Sequence, residues 1–335
     1  MPLTDPLGIA TPFPEKGRLA MADEGSKSLD WSSIPAFNTR LPFSERYRNS
    51  LSLVLLIATV LCFWQSLAGL YALTQQQEHY SHIVLIPWLS LYALYLDRKT
   101  IFSSRVWSPW LGSFVMGMGV LWAWRADSAV YGADLLTVQV LSFVMMCWGI
   151  FLLCYGTSAC RTYSFGLLFL LCMVPLPAGL LNAVIVLLQR SSAEVTDIVF
   201  TFLGIPFFRE EFVFGLSNLT IHIAEECSGI RSTLSLIITS LVAGHFFLRS
   251  VWGKWALVMI VVPLAIIKNA FRIVGLSLLA NYVDPSFITD SILHRSGGIP
   301  LFVLSLAVLL SLAWLLRSME KRTGYYLPDV SHVKV

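Results

Sequence analysis

The stretch from Trp255 to Ala280, WALVMIVVPLAIIKNAFRIVGLSLLA, decides the fold of this chain. It is longer than the roughly 20 mostly apolar residues that a membrane-spanning helix needs. Its only charged residues are Lys268 and Arg272. A helix that is apolar on nearly all sides belongs either in the core of a large protein or in a bilayer. We therefore predict a transmembrane helix here.

Composition extends this interpretation to most of the chain. The protein has 335 residues, of which 56% are hydrophobic and 13% charged, whereas soluble domains have roughly 45 to 50% and 25%. We therefore expect an all-α polytopic membrane protein with about eight transmembrane helices. The candidate spans are Leu51 to Tyr71, Tyr80 to Leu96, Pro109 to Trp124, Leu135 to Tyr155, Tyr163 to Leu181, Thr233 to Leu248, Trp255 to Ala280 and Ile299 to Leu316.

These spans divide the chain into three regions. Residues 1–48 contain six prolines and mixed charges without helical periodicity, which predicts a mobile cytoplasmic tail. Residues 49–317 form the transmembrane domain, and residues 318–335 form a cytoplasmic C-terminal tail. The first apolar run begins at Leu51, too far from Met1 for a cleaved signal peptide, so we expect it to be a retained anchor.

Basic residues predict the orientation, because Lys and Arg are enriched in cytoplasmic loops. The net charge is only +3, and scattered basic residues give no indication of nucleic-acid binding. With the N-terminal tail inside, the short outer loops hold only Arg125 and Arg295. The short inner loops then hold Arg98, Lys99, Arg105, Arg161, Arg249 and Lys254. We expect both termini in the cytoplasm.

The longest connection, Asn182 to Ser232, then lies at the outer face. In Ala183 to Leu203 the apolar residues recur at helical spacing, interrupted by polar ones, which favours either an interfacial helix or a buried amphipathic core helix. Phe207 to Ala224 alternates polar and apolar residues around a Gly215 to Asn218 turn, as a β-hairpin does. In the segment Ala183 to Leu203, the polar residues that interrupt the apolar pattern are Gln189, Arg190, Glu194 and Asp197.

One cysteine differs in its surroundings from the other five. Cys227 lies in the polar run Glu225, Glu226, Cys227, Ser228 and Gly229, directly before an apolar helix. The others lie in or beside apolar runs without metal-ligand spacing, where cysteine usually acts as a small hydrophobe. They are Cys62, Cys147, Cys154, Cys160 and Cys172. Cys227 is therefore the thiol placed for chemistry.

Arg272 and His294 are the groups that the topology brings toward this thiol. Arg272 lies on the same helix face as Lys268 and Asn269 and about 12 Å from the outer helix end at Ala280. A thiolate, an imidazole and a fixed guanidinium are the groups that acyl transfer from a peptide requires. In the competing interpretation Arg272 and Lys268 hold helices together and His294 is a surface loop residue.

At these positions the chain resembles the exosortases. The central resemblance is the run from Ala224 to Ser232, AEECSGIRS, followed by Asn269, Arg272 and His294 with its glycine pair. Further matching residues are Tyr80, Ser81, His82 and Pro87, then Val174, Pro175, Leu176 and Pro177, then Gly204, Ile205, Pro206, Arg209 and Glu210. The resemblance runs in consistent order from Leu51 to Leu316.

This resemblance implies an exosortase-like transmembrane domain over residues 49–317 and a thiol protease or transpeptidase in the bacterial inner membrane. It would cleave C-terminal protein-sorting signals, made of a short motif, a membrane helix and a basic end, at the periplasmic face. Its partners would be membrane-tethered protein substrates and the lipid bilayer, with no cofactor. Cys227 would be the nucleophile, Arg272 the oxyanion-stabilising residue and His294 the acid and base. We expect auxiliary roles for Arg231, Glu226, Asn269 and His82.

Two classes of function without this chemistry remain open. In a polytopic transporter, Lys268, Asn269 and Arg272 would line a path and the break at Pro175 to Pro177 would interrupt a helix. In a non-catalytic assembly factor of an envelope or exopolysaccharide system, the same charged face would bind a partner helix. A metal site at Glu78, His79 and His82 is the weaker alternative to a simple interfacial cluster.

Overall fold

The computed structural model describes residues 39–40, 45–103, 106–129, 133–217, 220–223, 228–284 and 298–322. Its α-helices are α1 Glu45–Cys62, α2 Trp64–Gln76, α3 Ile86–Ser103, α4 Pro109–Ala129, α5 Ala133–Thr162, α6 Ser164–Phe169, α7 Ala178–Phe202, α8 Ile230–Phe247, α9 Val251–Tyr282 and α10 Gly298–Arg322. Two 3₁₀ helices cover Glu78–Leu85 and Leu170–Met173. The short strands are β1 Thr39–Arg40, β2 Val106–Trp107, β3 Phe208–Glu210, β4 Val213–Gly215 and β5 Thr220–His222.

The described helices account for four to six membrane spans by length and apolar composition. The helices α5, α8, α9 and α10 each meet this requirement alone. Two further spans are reached if each of two sharply bent helix pairs crosses the membrane as a unit. The protein is therefore an all-α, multi-pass membrane protein, and the expected number of eight spans stays a prediction.

Both bent pairs correct spans that were expected to be single helices. The first, predicted over Leu51 to Tyr71, consists of α1 and α2, which meet at an angle of 65° next to Phe63. The second, predicted over Tyr163 to Leu181, breaks between Met173 and Ala178 with a bend of 88°. The residues of this break are Val174, Pro175, Leu176 and Pro177, and proline lacks the N–H that a continuing helix needs. The Asp134 carboxylate accepts a 2.8 Å hydrogen bond from the first backbone N–H of α7.

The predicted span over Tyr80 to Leu96 is also not one continuous α-helix. The structure has a 3₁₀ helix over Glu78–Leu85 and begins α3 only at Ile86. Pro87 lies in the first turn of α3, where a missing N–H is tolerated. A proline in a helix interior removes a backbone hydrogen bond, and here the regular α-helix starts beside Pro87 rather than running through from Tyr80.

The helix α7 is amphipathic and packs one face into the protein. Its buried residues are Ile185, Leu188, Gln189, Ser192, Ala193, Thr196 and Phe200. Phe202 at its C-terminal end is 89% exposed, and Ile198 is 65% exposed. The structure thus buries one face of the segment as in the core-helix interpretation, while its last turns also leave apolar side chains on the surface.

A three-stranded antiparallel sheet follows α7, in the order β3-β4-β5. Phe214 of β4 lies opposite Arg209 of β3 and Ile221 of β5. The inner sheet residues share a buried apolar cluster with Phe200 of α7 and Ile273 of α9. This cluster holds the sheet against both helices, so the chain leaving β5 enters α8 beside α9.

Ion pairs with Arg209 reinforce the contact between the sheet and α7. Its Nη2 lies 2.7 Å from Glu194 Oε1, and its Nη1 lies 2.9 Å from Asp197 Oδ2. These contacts explain two of the charged residues that interrupt the apolar pattern of α7.

The opposite end of α9 is capped by α10. The Glu320 carboxylate of α10 accepts 3.0 Å hydrogen bonds from the backbone N–H groups of Arg249 and Ser250. Glu320 is only 7% exposed. An anion at a helix N-terminus is favoured by the unsatisfied N–H groups and the helix dipole. This contact fixes α9, the helix that carries Arg272, against the last described helix.

Candidate functional site

Two of the three expected catalytic residues lie outside the described residues. Cys227 belongs to the segment 224–227 and His294 to the segment 285–297, and Glu226 lies in the first of these. Arg272, Asn269, Arg231 and His82 are described. The site is therefore built from these side chains and from the residues on either side of Cys227.

Gly229, two residues after Cys227, begins the turn into α8. Its φ of 78° is left-handed, which glycine adopts without steric penalty. The Ser232 and Thr233 hydroxyls both donate 2.9 Å hydrogen bonds to the Gly229 carbonyl oxygen. Lys268 Nζ in turn donates to Ser232 Oγ. The hydrogen bonds of Ser232 therefore connect the start of α8 to α9.

Asn269 lies directly under this turn. It is 1% exposed, and its Nδ2 donates a 3.1 Å hydrogen bond to Ser192 Oγ of α7. A Cβ atom added at Gly229 would lie 3.0 Å from Asn269 Oδ1 and 3.1 Å from its Cγ. The helices α7 and α9 and the start of α8 therefore meet at one side chain, and a larger residue at position 229 would require Asn269 to shift.

Ile223, the residue before the segment 224–227, is also held by hydrogen bonds. Ile223 is 1% exposed. Its backbone N–H donates a 2.9 Å bond to the Phe212 carbonyl, and its carbonyl accepts a 3.0 Å bond from Gln189 Nε2. Gln189 is itself only 5% exposed. The polar groups of the Ile223 backbone are thus satisfied by two different elements, the sheet and α7.

Arg272 follows Asn269 by one helical turn and shares its face. It is half-buried, and its neighbours Ile273 and Val274 belong to the apolar cluster formed with α7 and the sheet. The C-terminal end of α9 is at Tyr282, so Arg272 lies about 15 Å from that end, a little deeper than expected. Arg272 therefore places a positive charge on α9, beside α7 and the sheet that precedes Cys227 in the chain.

Arg231 pairs with Glu78 of the 3₁₀ helix Glu78–Leu85 through its Nη1. The side chains are 59% and 79% exposed, so this surface pair contributes little stability. It nevertheless joins the start of α8 to the segment that carries His82. The sequence gave no indication that Glu78 is the partner of Arg231.

The two histidines beside Glu78 are held in partly buried surroundings. Burial lowers the pKa of both His79 and His82 from the usual 6.5. For His82, a hydrogen bond with the His79 backbone acts in the opposite direction. Both imidazoles are therefore predominantly neutral at neutral pH. Within the part of the chain that the structure describes, no cluster of three His, Cys, Asp or Glu residues could hold a metal ion.

Gln189, Ser192 and Ser232 were not expected to belong to the site. In the sequence Gln189 is only an interruption of an apolar pattern, Ser232 is only the last residue of the run that resembles the exosortases, and nothing distinguishes Ser192. A polar side chain on an apolar helix face is unfavourable unless it is hydrogen-bonded, so the polar residues in these helices indicated interior hydrogen bonds. The partners could not be read from it, because they lie on other elements.

Comparison with known proteins identifies the family. A family model described as transmembrane exosortase matches residues 64–311. This range runs from the start of α2 into α10 and includes every residue of the candidate site. No curated protein and no solved structure matches the chain. Since the match covers well over half of the sequence, the chain belongs to the transmembrane exosortase family.

Proposed function

We propose that this protein is a membrane-embedded cysteine protease or transpeptidase that cleaves the C-terminal sorting signals of exported proteins. The observation that carries the proposal is the anchoring of the segment 224–227. Ile223 on one side is bonded to α7, and Gly229 on the other side packs on Asn269 of α9. A nucleophile has to be held in a fixed position relative to its oxyanion donor, and two buried anchors supply such a frame.

Chain geometry supports the nearness of Cys227 to Arg272. Consecutive Cα atoms are about 3.8 Å apart, so covalent bonds alone keep the Cys227 Cα within about 8 Å of the Gly229 Cα. Gly229 contacts Asn269, and Arg272 is one turn of the same helix away. A guanidinium close to a cysteine favours the thiolate over the thiol and can donate two hydrogen bonds to an oxyanion.

The proposed reaction uses three side chains. The Cys227 thiolate attacks the scissile carbonyl carbon, and Arg272 stabilises the resulting oxyanion. His294 gives a proton to the leaving amine, which departs and leaves a thioester on Cys227. Water or an acceptor amine then attacks the thioester, loses its proton to His294, and releases the Cys227 thiolate. Peptidase and transpeptidase activity is what the exosortase family is known for.

The proposed substrate is tethered to the membrane. The basic-residue bias predicts that Cys227 and His294 face outward, and a scissile bond just outside the bilayer is suited to a site at that surface. A C-terminal helix with a basic end would hold the substrate in the bilayer and orient it toward the thiol. Tethering raises the effective concentration of the peptide, so that a short recognition motif is sufficient.

Alanine and lysine variants test the chemistry. We expect Cys227→Ala and Arg272→Ala to accumulate as folded membrane proteins that do not process a substrate protein. We expect Arg272→Lys to fail as well, because an ammonium does not reproduce the planar two-donor geometry of a guanidinium. Cys154→Ala is the matched control, since Cys154 is a buried thiol in α5. Processing is followed by the size of the substrate protein in membranes.

The acyl-enzyme provides the direct evidence. Wild-type protein incubated with a tethered substrate should gain the mass of the cleaved fragment on the peptide that contains Cys227. Full processing by Cys227→Ala would exclude covalent catalysis by this thiol. Equal cleavage of tethered substrate and of the same substrate without its C-terminal helix would leave the thiol chemistry standing but refute membrane tethering.

A further inference from the structure

We propose that Gln189 of α7 is a positioning residue for the Cys227 thiol. This inference rests on the proposed function and deepens it. Gln189 lies in α7, 38 positions before Cys227 in the sequence, and its amide nitrogen donates to the carbonyl of Ile223, the last described residue before the segment 224–227. Through this bond the buried face of α7 determines where that segment starts.

The bond is built into the interior of the protein. Gln189 is 5% exposed and Ile223 is 1% exposed, and the amide nitrogen and carbonyl oxygen are 3.0 Å apart. A buried carbonyl without a donor is destabilising, so it is either paired or drives local rearrangement. The Ile223 N–H is already engaged by Phe212. Gln189 thus supplies the second of two backbone bonds at Ile223, and its bond acts on the peptide group that follows the Ile223 Cα, while the Phe212 bond acts on the one before it.

The other end of the segment has a matching attachment on α9. Lys268 bonds to Ser232, Ser232 bonds to the Gly229 carbonyl, and Asn269 packs under Gly229. Lys268 is 7% exposed and Ser232 is half-buried, so this contact is partly buried. The two ends are therefore attached to two different helices. In this proposal both attachments contribute to the position of the thiol relative to Arg272, and loss of the Gln189 bond weakens one of them while the Phe212 bond remains.

The primary test compares Gln189→Met with Thr196→Val. Methionine has similar length to glutamine and no donor, so it removes the bond to Ile223 with little change in volume. Thr196 is 0% exposed, two turns further along the same face of α7, and its hydroxyl has no hydrogen-bond partner among the described residues. We expect Gln189→Met to lower kcat roughly 10- to 100-fold with KM nearly unchanged. We expect Thr196→Val to retain wild-type kcat.

A second variant separates positioning from general packing. In Gln189→Glu the side chain donates to the Ile223 carbonyl only while its carboxyl group is protonated. The kcat of Gln189→Glu, divided by the wild-type kcat at each pH, should therefore rise as the pH falls. The same ratio for Gln189→Met should stay flat. A purely structural role of Gln189 gives parallel profiles for the two variants, and that result overturns the proposal.

Thiol labelling distinguishes failure of this inference from failure of the proposed function. In a background where the other five cysteines are replaced, Gln189→Met should change the rate of Cys227 alkylation by a maleimide several-fold, and Thr196→Val should not. If Cys227→Ala still processes substrate, the proposed function is wrong, and the labelling rate alone judges the positioning role. Unchanged labelling together with unchanged kcat in Gln189→Met refutes the inference.

Discussion

Replacing Gly229 by alanine should disable the site through the contact with Asn269. Gly229 has a φ of 78°, and a left-handed conformation is unfavourable by roughly 1 to 2 kcal/mol for alanine. The new Cβ would also lie 3.0 Å from Asn269 Oδ1. Asn269 is buried and bonded to Ser192, so it has little freedom to move away. Overpacking of this kind adds about 1 to 3 kcal/mol.

The expected loss of unfolding free energy for Gly229→Ala is therefore about 2 to 5 kcal/mol. Gly204→Ala is the matched control, because Gly204 has a φ of 68° but an added Cβ there meets nothing within 4 Å. It should lose only the backbone contribution, about 1 to 2 kcal/mol. Because the turn at position 229 must shift to relieve the contact, Gly229→Ala should also lose at least roughly tenfold in processing. Gly204→Ala should retain its processing activity.

Two measurements check this prediction: thermal unfolding of the purified variants in detergent and processing of a tethered substrate in membranes. The unfolding data also allow a double-mutant cycle with Asn269→Ser, which shortens the side chain under position 229. The cycle should show a coupling free energy that favours the double variant. Equal stability losses in Gly229→Ala and Gly204→Ala, with no coupling to Asn269, would refute the packing of this turn on α9.

Three further predictions concern residues that support the fold around the site. Glu320→Ala should lower the unfolding free energy by about 1 to 3 kcal/mol, because the backbone N–H groups of Arg249 and Ser250, directly before α9, lose their acceptor. Ser318→Ala in the same helix is the control, and an equal loss there would contradict the capping role. Arg209→Met should cost at most about 1 kcal/mol in thermal unfolding despite removing two ion pairs, since its carboxylate partners are 61% and 34% exposed; a larger loss would show that the pairs hold the sheet. Burial lowers the pKa of His79 and His82, so the unfolded chain binds more protons than the folded protein, and the free energy of unfolding should fall as the pH drops below about 6.5. Replacing both histidines by asparagine should flatten the dependence of the melting temperature on pH between 5 and 7. An unchanged slope would exclude these histidines as the source of that dependence.

The composition and apolar run lengths were sufficient for the membrane class and for most helices. The helices α8, α9 and α10 lie where the sequence predicted spans, because a long apolar run has one stable state in a bilayer. The breaks were harder to predict. An apolar run continues across Phe63 and across Val174 to Pro177, so apolar length does not indicate a break at either place. At the second break the Asp134 carboxylate accepts a hydrogen bond from the first backbone N–H of α7, and this contact is visible only in the folded structure.

Local motifs were also sufficient for the family. The resemblance rested on the run around Cys227 and on Asn269 and Arg272, and the match over residues 64–311 confirms the exosortase assignment. The roles of Cys227, Arg272 and His294 stay predictions, because they concern chemistry rather than sequence similarity. The described flanks of Cys227 add a frame for these roles that no motif contained.

What the sequence determined by itself is what depends on neighbours along the chain: apolar length, helical period and a short motif. What only the tertiary structure decided is which distant residues share a contact. Gln189 and Ile223 are 34 positions apart, and Arg231 and Glu78 are 153 positions apart. A polar side chain in an apolar helix must find a hydrogen-bond partner, but its partner is set by how the helices pack. For this reason the cysteine motif was visible in the sequence, while the attachments that hold its two ends appeared only in the folded protein.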